Sequence, residues 1–180
     1  IGIDSDTICL LSVAQEFKFT PNETHNFWIT AKTILSQYPN VVIIVVGVRP
    51  NSPMVRSVFL DKPKRLMITG YVSDPSIFYK AADIFMVSFP MPSLGALKSA
   101  SLIGETCPLM PYSQSTMNIL DPQIFLPQTY YEPTETEEDY LSVLDRYITD
   151  SKLRTWMATR LKKLYMRIAR SVPDNLLELH

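Results

Sequence analysis

The fold is decided by the stretch ITGYVSDPSIFYKAADIFMVSFPMPSLGALKSASLIGETCP, which runs from Ile68 to Pro108. Asp74-Pro75 predicts a helix start, because an aspartate side chain caps free backbone amides and proline suits the first helical position. Ile84–Val87 is wholly apolar and predicts a buried strand. After it, Ser93-Leu94-Gly95-Ala96 predicts the start of a second helix, and the free amides at such a start attract an anion.

Similar apolar runs occur on both sides of this stretch. They predict strands at Thr7–Val13, Val41–Val46, Leu66–Thr69 and Pro108–Met110, with a last strand at Ile124–Leu126. Helices are predicted between them, starting at the capping box Thr20-Pro21-Asn22-Glu23, and later near Glu135–Thr149 and Ser151–Arg170. The sequence therefore predicts an α/β fold in one domain, residues 1–180: a Rossmann-like, doubly wound parallel sheet of five or six strands with C-terminal helices.

Composition excludes several classes of function. The chain has 180 residues, of which 46% are hydrophobic, and a net charge of -1, so nothing indicates nucleic acid as a partner. Cys9 and Cys107 lie in apolar runs and indicate neither a disulfide framework nor a metal site. The longest wholly apolar run, Val41–Val46, is far shorter than the roughly 20 residues that cross a bilayer. We expect a cytoplasmic protein.

The order of the motifs resembles a known family. Gly70-Tyr71-Val72-Ser73-Asp74 is followed by Tyr79–Phe85, a glycine-containing turn, a helix and a strand that begins at Pro108. This order resembles the donor-binding half of GT-B-fold glycosyltransferases, in particular the large retaining group. The segment Lys18-Phe19-Thr20-Pro21 is similar to a motif of O-GlcNAc-type transferases. The resemblance extends from about Ile8 to Ser171.

The resemblance implies a donor site and assigns residues to it. Lys18 would contact the donor diphosphate and act as the catalytic cation. Ser93, Leu94, Gly95 and Ala96 would hold the other side of the diphosphate, and Tyr71 with Val72 would lie against the nucleobase. Each residue also has an ordinary structural interpretation: a solvated lysine, a helix cap followed by a turn, and a tyrosine at a strand end.

The sequence departs from the family pattern at two positions. Retaining members typically carry two glutamates eight positions apart around the glycine turn, and these places fall on Ser93 and Ser101. Glu105 is the acid nearest to them along the chain, but its position late in the helix makes it a doubtful substitute. Many retaining relatives also carry an arginine where Gln15 stands, which leaves Lys18 as the main cation.

Two functions from different classes follow. The first is the C-terminal domain of a hexosyltransferase-like enzyme, which binds a nucleoside-diphosphate sugar such as a UDP-sugar and needs no metal or other cofactor. Its acceptor would be held by an N-terminal domain, so this fragment alone would be inactive. The second is a degenerate Rossmann domain that serves as a scaffold or binds a partner. A receiver-like signalling domain and a dinucleotide-dependent dehydrogenase lack their characteristic motifs.

The last predicted helix carries seven basic residues between Lys152 and Arg170. This helix predicts peripheral contact with an anionic membrane surface. The alternative is that its apolar side packs in the core while the acidic segment Glu132–Asp139 neutralises its charges. His25 is predicted to lie inside the first helix, at a surface or interface, and has no assigned role.

Overall fold

Five parallel strands form a single sheet in this computed structural model, which describes residues 6–112 and 128–171. The strands are β1 (Ile8–Val13), β2 (Val41–Val46), β3 (Leu66–Ile68), β4 (Ile84–Met86) and β5 (Cys107–Leu109). Their order is β3-β2-β1-β4-β5, so the chain leaves the centre in one direction and then in the other. The predicted doubly wound sheet is confirmed, with five strands among the described residues. The predicted strand at Ile124–Leu126 lies outside these residues.

Helices connect the strands and follow the last of them. They are α1 (Phe27–Gln37), α2 (Pro53–Val58), α3 (Ser76–Ala81), α4 (Leu94–Ile103), α5 (Glu137–Thr149) and α6 (Ser151–Ser171). The described residues also contain two short 3-10 helices, at Glu16–Phe19 and Gln128–Tyr130. The first of them, called the Lys18 turn below, follows β1 directly.

Both faces of the sheet are covered, as a doubly wound fold requires. Along β1, Ile8 and Leu10 face one hydrophobic core, whereas Cys9 and Leu11 face the other, because successive side chains of a strand alternate. The first core is closed by α1, α2 and α5, and the second by α3 and α4, while α6 contributes to both. Since every strand is buried on both sides, the strands read as continuous apolar runs.

The start of α1 differs from the prediction. The Thr20–Glu23 segment opens no helix; instead Asn22 Oδ1 accepts from the backbone amides of Thr24 and His25, at 3.0 and 2.7 Å. The helix begins at Phe27, and the side chain of Asn26 caps it by accepting from the amides of Trp28 and Ile29. An Asn side chain bonded to nearby amides competes with the helix at its own position, so the start moves to the next residue that can cap.

The acidic segment does not neutralise α6 in the way that the sequence suggested. Glu132 pairs with Arg146 of α5, and Asp139 completes the capping box that opens α5. The carboxylates that pair with α6 are Asp83 and Glu105, which come from other parts of the chain. No helix within residues 6–112 and 128–171 combines the length and apolar character needed to span a membrane.

Candidate functional site

Four loops emerge from the carboxyl ends of β1 to β4, which lie at one edge of the sheet because these strands are parallel. In open α/β sheets, ligands bind in the crevice at this edge. The loops are the Lys18 turn, the segment after Gly47, the segment 70–74, and the segment Ser88–Ser93, called the Pro92 loop below. All of the site residues predicted from the sequence lie in these loops or in the first turn of α4.

The Lys18 turn contacts the Pro92 loop directly. Lys18 Nζ donates a hydrogen bond to the carbonyl oxygen of Pro92 at 3.0 Å. The backbone amide of Met91 donates in turn to the carbonyl oxygen of Lys18 at 3.3 Å. Two segments that are 74 residues apart in the chain are thereby joined at one edge. The ammonium group has three protons, and this contact uses one of them.

The Pro92 loop is internally fixed. Its Phe89–Pro90 peptide bond is cis, and Phe89 is fully buried in the core. Ser88 Oγ donates to the carbonyl oxygen of Met91 at 2.7 Å, and the amide of Ser88 donates to Ser93 Oγ at 3.2 Å. Ser93 is only 4% exposed. Its hydroxyl oxygen therefore serves the loop, while its backbone carbonyl accepts from Leu97 in α4.

The first turn of α4 leaves room above its amides. The first amides of any α-helix have no partner inside the helix and carry a partial positive charge. No acidic residue lies in this first turn to compete for them. Gly95 is exposed, and a Cβ built on it would meet no atom within 4 Å. Leu94 and Ala96 beside it are half-buried.

A second set of contacts holds the Lys18 turn from the other side. Glu16 accepts from the Arg49 guanidinium at 2.9 and 3.1 Å and from the Arg49 amide at 3.2 Å. Ser52 Oγ donates to Glu16 at 2.9 Å. The hydrogen bonds from Arg49 lower the pKa of the Glu16 carboxyl to about 2. The turn is thus fixed between the loops that follow β2 and β4.

Sequence reasoning missed Glu16, Arg49 and Ser52. The available signal was weak: a carboxylate and a guanidinium in two loops predicted to lie at the same edge, 33 residues apart. Because Glu16 is paired with Arg49, this arginine is a neutralised cation at the edge. Lys18 has no such carboxylate partner within the described part of the chain, which supports its assignment as the main cation.

Glycine is required where the β2 and β3 loops approach β1. Gly47 has φ +97°, and a Cβ there would lie 2.2 Å from the carbonyl oxygen of Ala14. Its amide donates to the carbonyl oxygen of Gly70 at 2.7 Å, and Gly70 itself has φ +74°. A side chain disfavours both conformations. The loop that carries Tyr71 and Val72 is connected to the edge through this contact.

Tyr71 and Val72 differ in their surroundings. Tyr71 is 87% exposed, which is unusual for a large aromatic residue that serves packing alone. Val72 is half-buried and packs against the second hydrophobic core. The exposed ring is free to stack on a ligand, whereas Val72 anchors the loop. The assignment of both to a nucleobase site stays a prediction.

The two positions where retaining relatives carry glutamate have structural roles here. Ser93 serves the Pro92 loop, and Ser101 is fully buried, with Oγ donating to the carbonyl oxygen of Leu97 at 2.8 Å. Glu105 follows the end of α4, so it lies at the opposite edge of the sheet and cannot substitute. It pairs there with Lys162 at 3.0 Å, a contact that lowers the pKa of its carboxyl.

His25 lies outside α1 and is not a surface residue, in contrast to the prediction. It is 2% exposed, and its Nε2 lies 3.0 Å from the carbonyl oxygen of Tyr112, while its Nδ1 lies 2.7 Å from Thr24 Oγ1. Because a carbonyl only accepts, Nε2 carries a proton in this contact. His25 thus holds the entry to α1 against the end of the β5 segment.

Across residues 6–112 and 128–171, no group of three or more His, Cys, Asp or Glu side chains could hold a metal ion. The candidate site consists of one lysine, exposed helix amides and an exposed tyrosine. This combination is suited to a phosphate-containing organic anion, since ammonium and amide donors both bind phosphate oxygens.

Comparisons with known proteins agree with the fold. No family model matches the sequence, and no curated protein matches it. Solved structures do. The chain superposes on WaaG, a glycosyltransferase involved in lipopolysaccharide biosynthesis, with a TM-score of 0.66 and 16% identity over 92% of this chain. The O-GlcNAc transferase of Thermobaculum terrenum gives a TM-score of 0.71 and 11% identity over 91% of this chain.

A third match is S. aureus TarM in complex with fondaparinux, alpha-GlcNAc-glycerol and UDP, with a TM-score of 0.70 and 10% identity over 96% of this chain. The chain spans 44%, 33% and 34% of the lengths of these three proteins. The likeness shows that the chain has the Rossmann-like fold found in GT-B glycosyltransferases. The choice between the retaining and the O-GlcNAc-type branches stays a prediction.

Proposed function

We propose that the chain is the donor-binding domain of a glycosyltransferase and binds the diphosphate of a nucleoside-diphosphate sugar between Lys18 and the first turn of α4. The contact that carries this proposal is the hydrogen bond from Lys18 Nζ to Pro92, one residue before Ser93. The cation and the free amides, predicted from separate parts of the sequence, are neighbours in the fold.

The chemistry of such a site is electrostatic. When a glycosyl group leaves its donor, negative charge develops on the diphosphate, and fixed donors aimed at that charge lower the barrier. Lys18 supplies a full positive charge, and the amides of Leu94, Gly95 and Ala96 supply dipoles at the start of α4. Neither contribution requires a metal ion, and a UDP moiety, which the TarM complex contains, carries the expected diphosphate.

A further part of the proposal is an N-terminal domain that holds the acceptor. Three apolar side chains at the carboxyl edge support a partner surface there: Phe17 is 52% exposed, Tyr71 87% and Met91 50%. The chain also spans a third to under a half of its three structural neighbours. We therefore expect this fragment to bind the donor without transferring the sugar.

The serines at the two glutamate positions favour one branch of the family. Because Ser93 and Ser101 occupy the two glutamate positions, the retaining group-1 chemistry that uses this pair has no carboxylates here. We infer that the site is closer to the O-GlcNAc type, which does not use the pair and which shares the Lys18-Phe19-Thr20-Pro21 motif.

The test is calorimetric titration of the chain with UDP. Lys18→Met keeps the length of the side chain and removes its charge, and we expect the affinity to fall at least about tenfold, since a hydrogen bond to a charged group contributes roughly 1.5–3 kcal/mol. Lys64→Met is the matched control, because Lys64 is exposed before β3, at the opposite edge of the sheet.

The second candidate function is a scaffold derived from the same fold, and the missing glutamates favour it. The same titration with UDP distinguishes a scaffold from a donor-binding domain. Wild-type protein that shows no heat with UDP at millimolar concentration, and no nucleotide signal in ligand-observed NMR, would support the scaffold and contradict donor binding. If wild type and Lys18→Met bind UDP with equal affinity, the domain binds UDP but Lys18 does not contribute to the site.

A further inference from the structure

The long helix α6 presents a cationic face to solvent. It has 21 residues, and at 1.5 Å per residue it is about 30 Å long. Its sequence, SKLRTWMATRLKKLYMRIARS, contains seven Lys and Arg and no acidic residue. Met157, Leu161 and Tyr165 form its buried side. Because the whole chain has a net charge of -1, positive charge is concentrated on this one element.

Six of the seven cations fall into two groups, and the seventh, Arg160, stacks on aromatic rings. Arg154 lies 3.8 Å from Asp83 and donates to the carbonyl oxygen of Tyr147, while Lys162 pairs with Glu105 at 3.0 Å. These contacts hold the helix to the body of the domain. The second group consists of exposed side chains that form no ion pair with any carboxylate of the described residues: Lys152, Lys163, Arg167 and Arg170.

The exposed group shares a single face with an aromatic residue. At 100° per residue, a set of five side chains falls within an arc of about 60° around the helix axis. The set is Lys152, Trp156, Lys163, Arg167 and Arg170. This face points away from the buried side. Between Trp156 and Lys163 its border is formed by Thr159, which donates to Glu105 at 3.0 Å. Met166, 40% exposed, borders it.

Trp156 is exposed yet held in place. It is 53% exposed, and the Arg160 guanidinium lies 4.8 Å from its ring centre. The same guanidinium lies 5.0 Å from the ring of Tyr130. A cation stacked between two rings fixes the indole without covering it. Indole groups of this kind concentrate at the boundary between lipid and water, where the ring is apolar and its N–H is hydrated.

We propose that this face of α6 binds the surface of an anionic lipid membrane. A cluster of four Lys and Arg side chains on one helix, without an ion pair among the described residues, is typical of surfaces that bind acidic lipid headgroups. Trp156 and Met166 provide apolar side chains that enter the headgroup region. A nucleic acid duplex would engage the cations through its phosphates but, with its bases stacked inside, would leave these two apolar side chains without a partner. The proposal is independent of donor binding, because α6 contributes no residue to the Lys18 site.

The test is sedimentation of the full chain with vesicles of phosphatidylcholine alone or mixed with phosphatidylglycerol. We expect binding only to the mixed vesicles and a blue shift of the tryptophan emission. Trp156 is the reporter, since Trp28, the second of the two tryptophans, is fully buried. The triple variant Lys163→Glu, Arg167→Glu, Arg170→Glu should bind at least about tenfold more weakly.

The matched control reverses three exposed cations of the α2–β3 region, at the other end of the sheet: Arg56→Glu, Lys62→Glu and Lys64→Glu. Both variants change the net charge equally, so an equal loss of vesicle binding would overturn the proposal. So would duplex DNA binding that is as tight as vesicle binding and is lost in the α6 variant. Unchanged UDP affinity in the α6 variant would separate this surface from the donor site.

Discussion

Gly47 and Gly95 lie at the same edge of the sheet, but their surroundings are opposite. Gly47 has a positive φ and no room for a side chain, because a Cβ would meet the carbonyl of Ala14 at 2.2 Å. Gly95 has open space around its Cα and lies in the first turn of α4. One glycine is needed by the fold, and we propose that the other is needed by the ligand.

Alanine at each position tests this difference. Gly47→Ala should lower the free energy of unfolding by about 2 kcal/mol or more, because the left-handed backbone and the close contact both oppose a Cβ. Gly95→Ala should leave stability equal or slightly higher, since alanine favours a helix over glycine by roughly 0.5–1 kcal/mol. UDP binding should nevertheless weaken in Gly95→Ala. Urea unfolding and calorimetry measure the two effects.

A stable Gly95→Ala variant with unchanged UDP affinity would remove the start of α4 from the donor site. A Gly47→Ala variant as stable as wild type would contradict the described approach of the β1 and β2 loops.

At the residue scale, the sequence predicted the neighbours of Lys18 only in part. The sequence predicts that Lys18 and the turn before α4 lie at one edge, because the loops that follow parallel strands all emerge at the same edge of the sheet. The pair formed by Glu16 and Arg49 could not be predicted, because charged residues occur in most loops and nothing local distinguishes a paired one. Likewise, no local signal indicates that His25 Nε2 lies against the Tyr112 carbonyl, 87 residues away.

At the scale of elements, the first helix shows how a correct signature can fail. Thr20–Glu23 has the residues of a capping box, but Asn22 folds back on the amides of Thr24 and His25. The strands were easier to predict, since burial on both faces selects uninterrupted apolar runs. A helix start is decided by a few competing hydrogen bonds, so equally good caps a few residues apart cannot be ranked by pattern.

Two alanine variants distinguish the predicted cap from the observed one. Asn26→Ala removes the side chain that accepts from Trp28 and Ile29, and should destabilise the protein by about 1 kcal/mol. Thr20→Ala should change stability by less than about 0.5 kcal/mol, because Thr20 is exposed and precedes the helix by several residues. Chemical denaturation of both variants is the measurement. A larger loss of stability in Thr20→Ala than in Asn26→Ala would instead indicate that the helix starts at Thr20, as the sequence predicted.

At the scale of the whole molecule, the two cysteines report on cooperativity. Cys9 lies in the central strand β1, and Cys107 begins the edge strand β5. Both are buried, and burial raises the pKa of the Cys9 thiol to about 12 and that of Cys107 further. Thiolates are the reactive form, so neither side chain should react in the native state.

Labelling with a thiol reagent at increasing urea concentration tests whether the sheet unfolds as one unit. We expect both cysteines to become reactive at the same urea midpoint, which should coincide with the loss of helical circular dichroism. Cys9→Ala and Cys107→Ala, measured separately, assign the signals. Reaction of Cys107 well below the global midpoint would instead show that β5, with the helix that packs on it, opens before the rest of the sheet.

The burial of Ser93 limits how this domain could be redesigned. A protein engineer who wished to install the retaining chemistry would introduce a carboxylate at that position. A glutamate, however, would carry a buried charge into a space sized for a hydroxyl, and it would displace the hydrogen bond that Ser88 gives to Ser93. Grafting the entire segment between β4 and α4 from a retaining enzyme is therefore a better route than a point substitution.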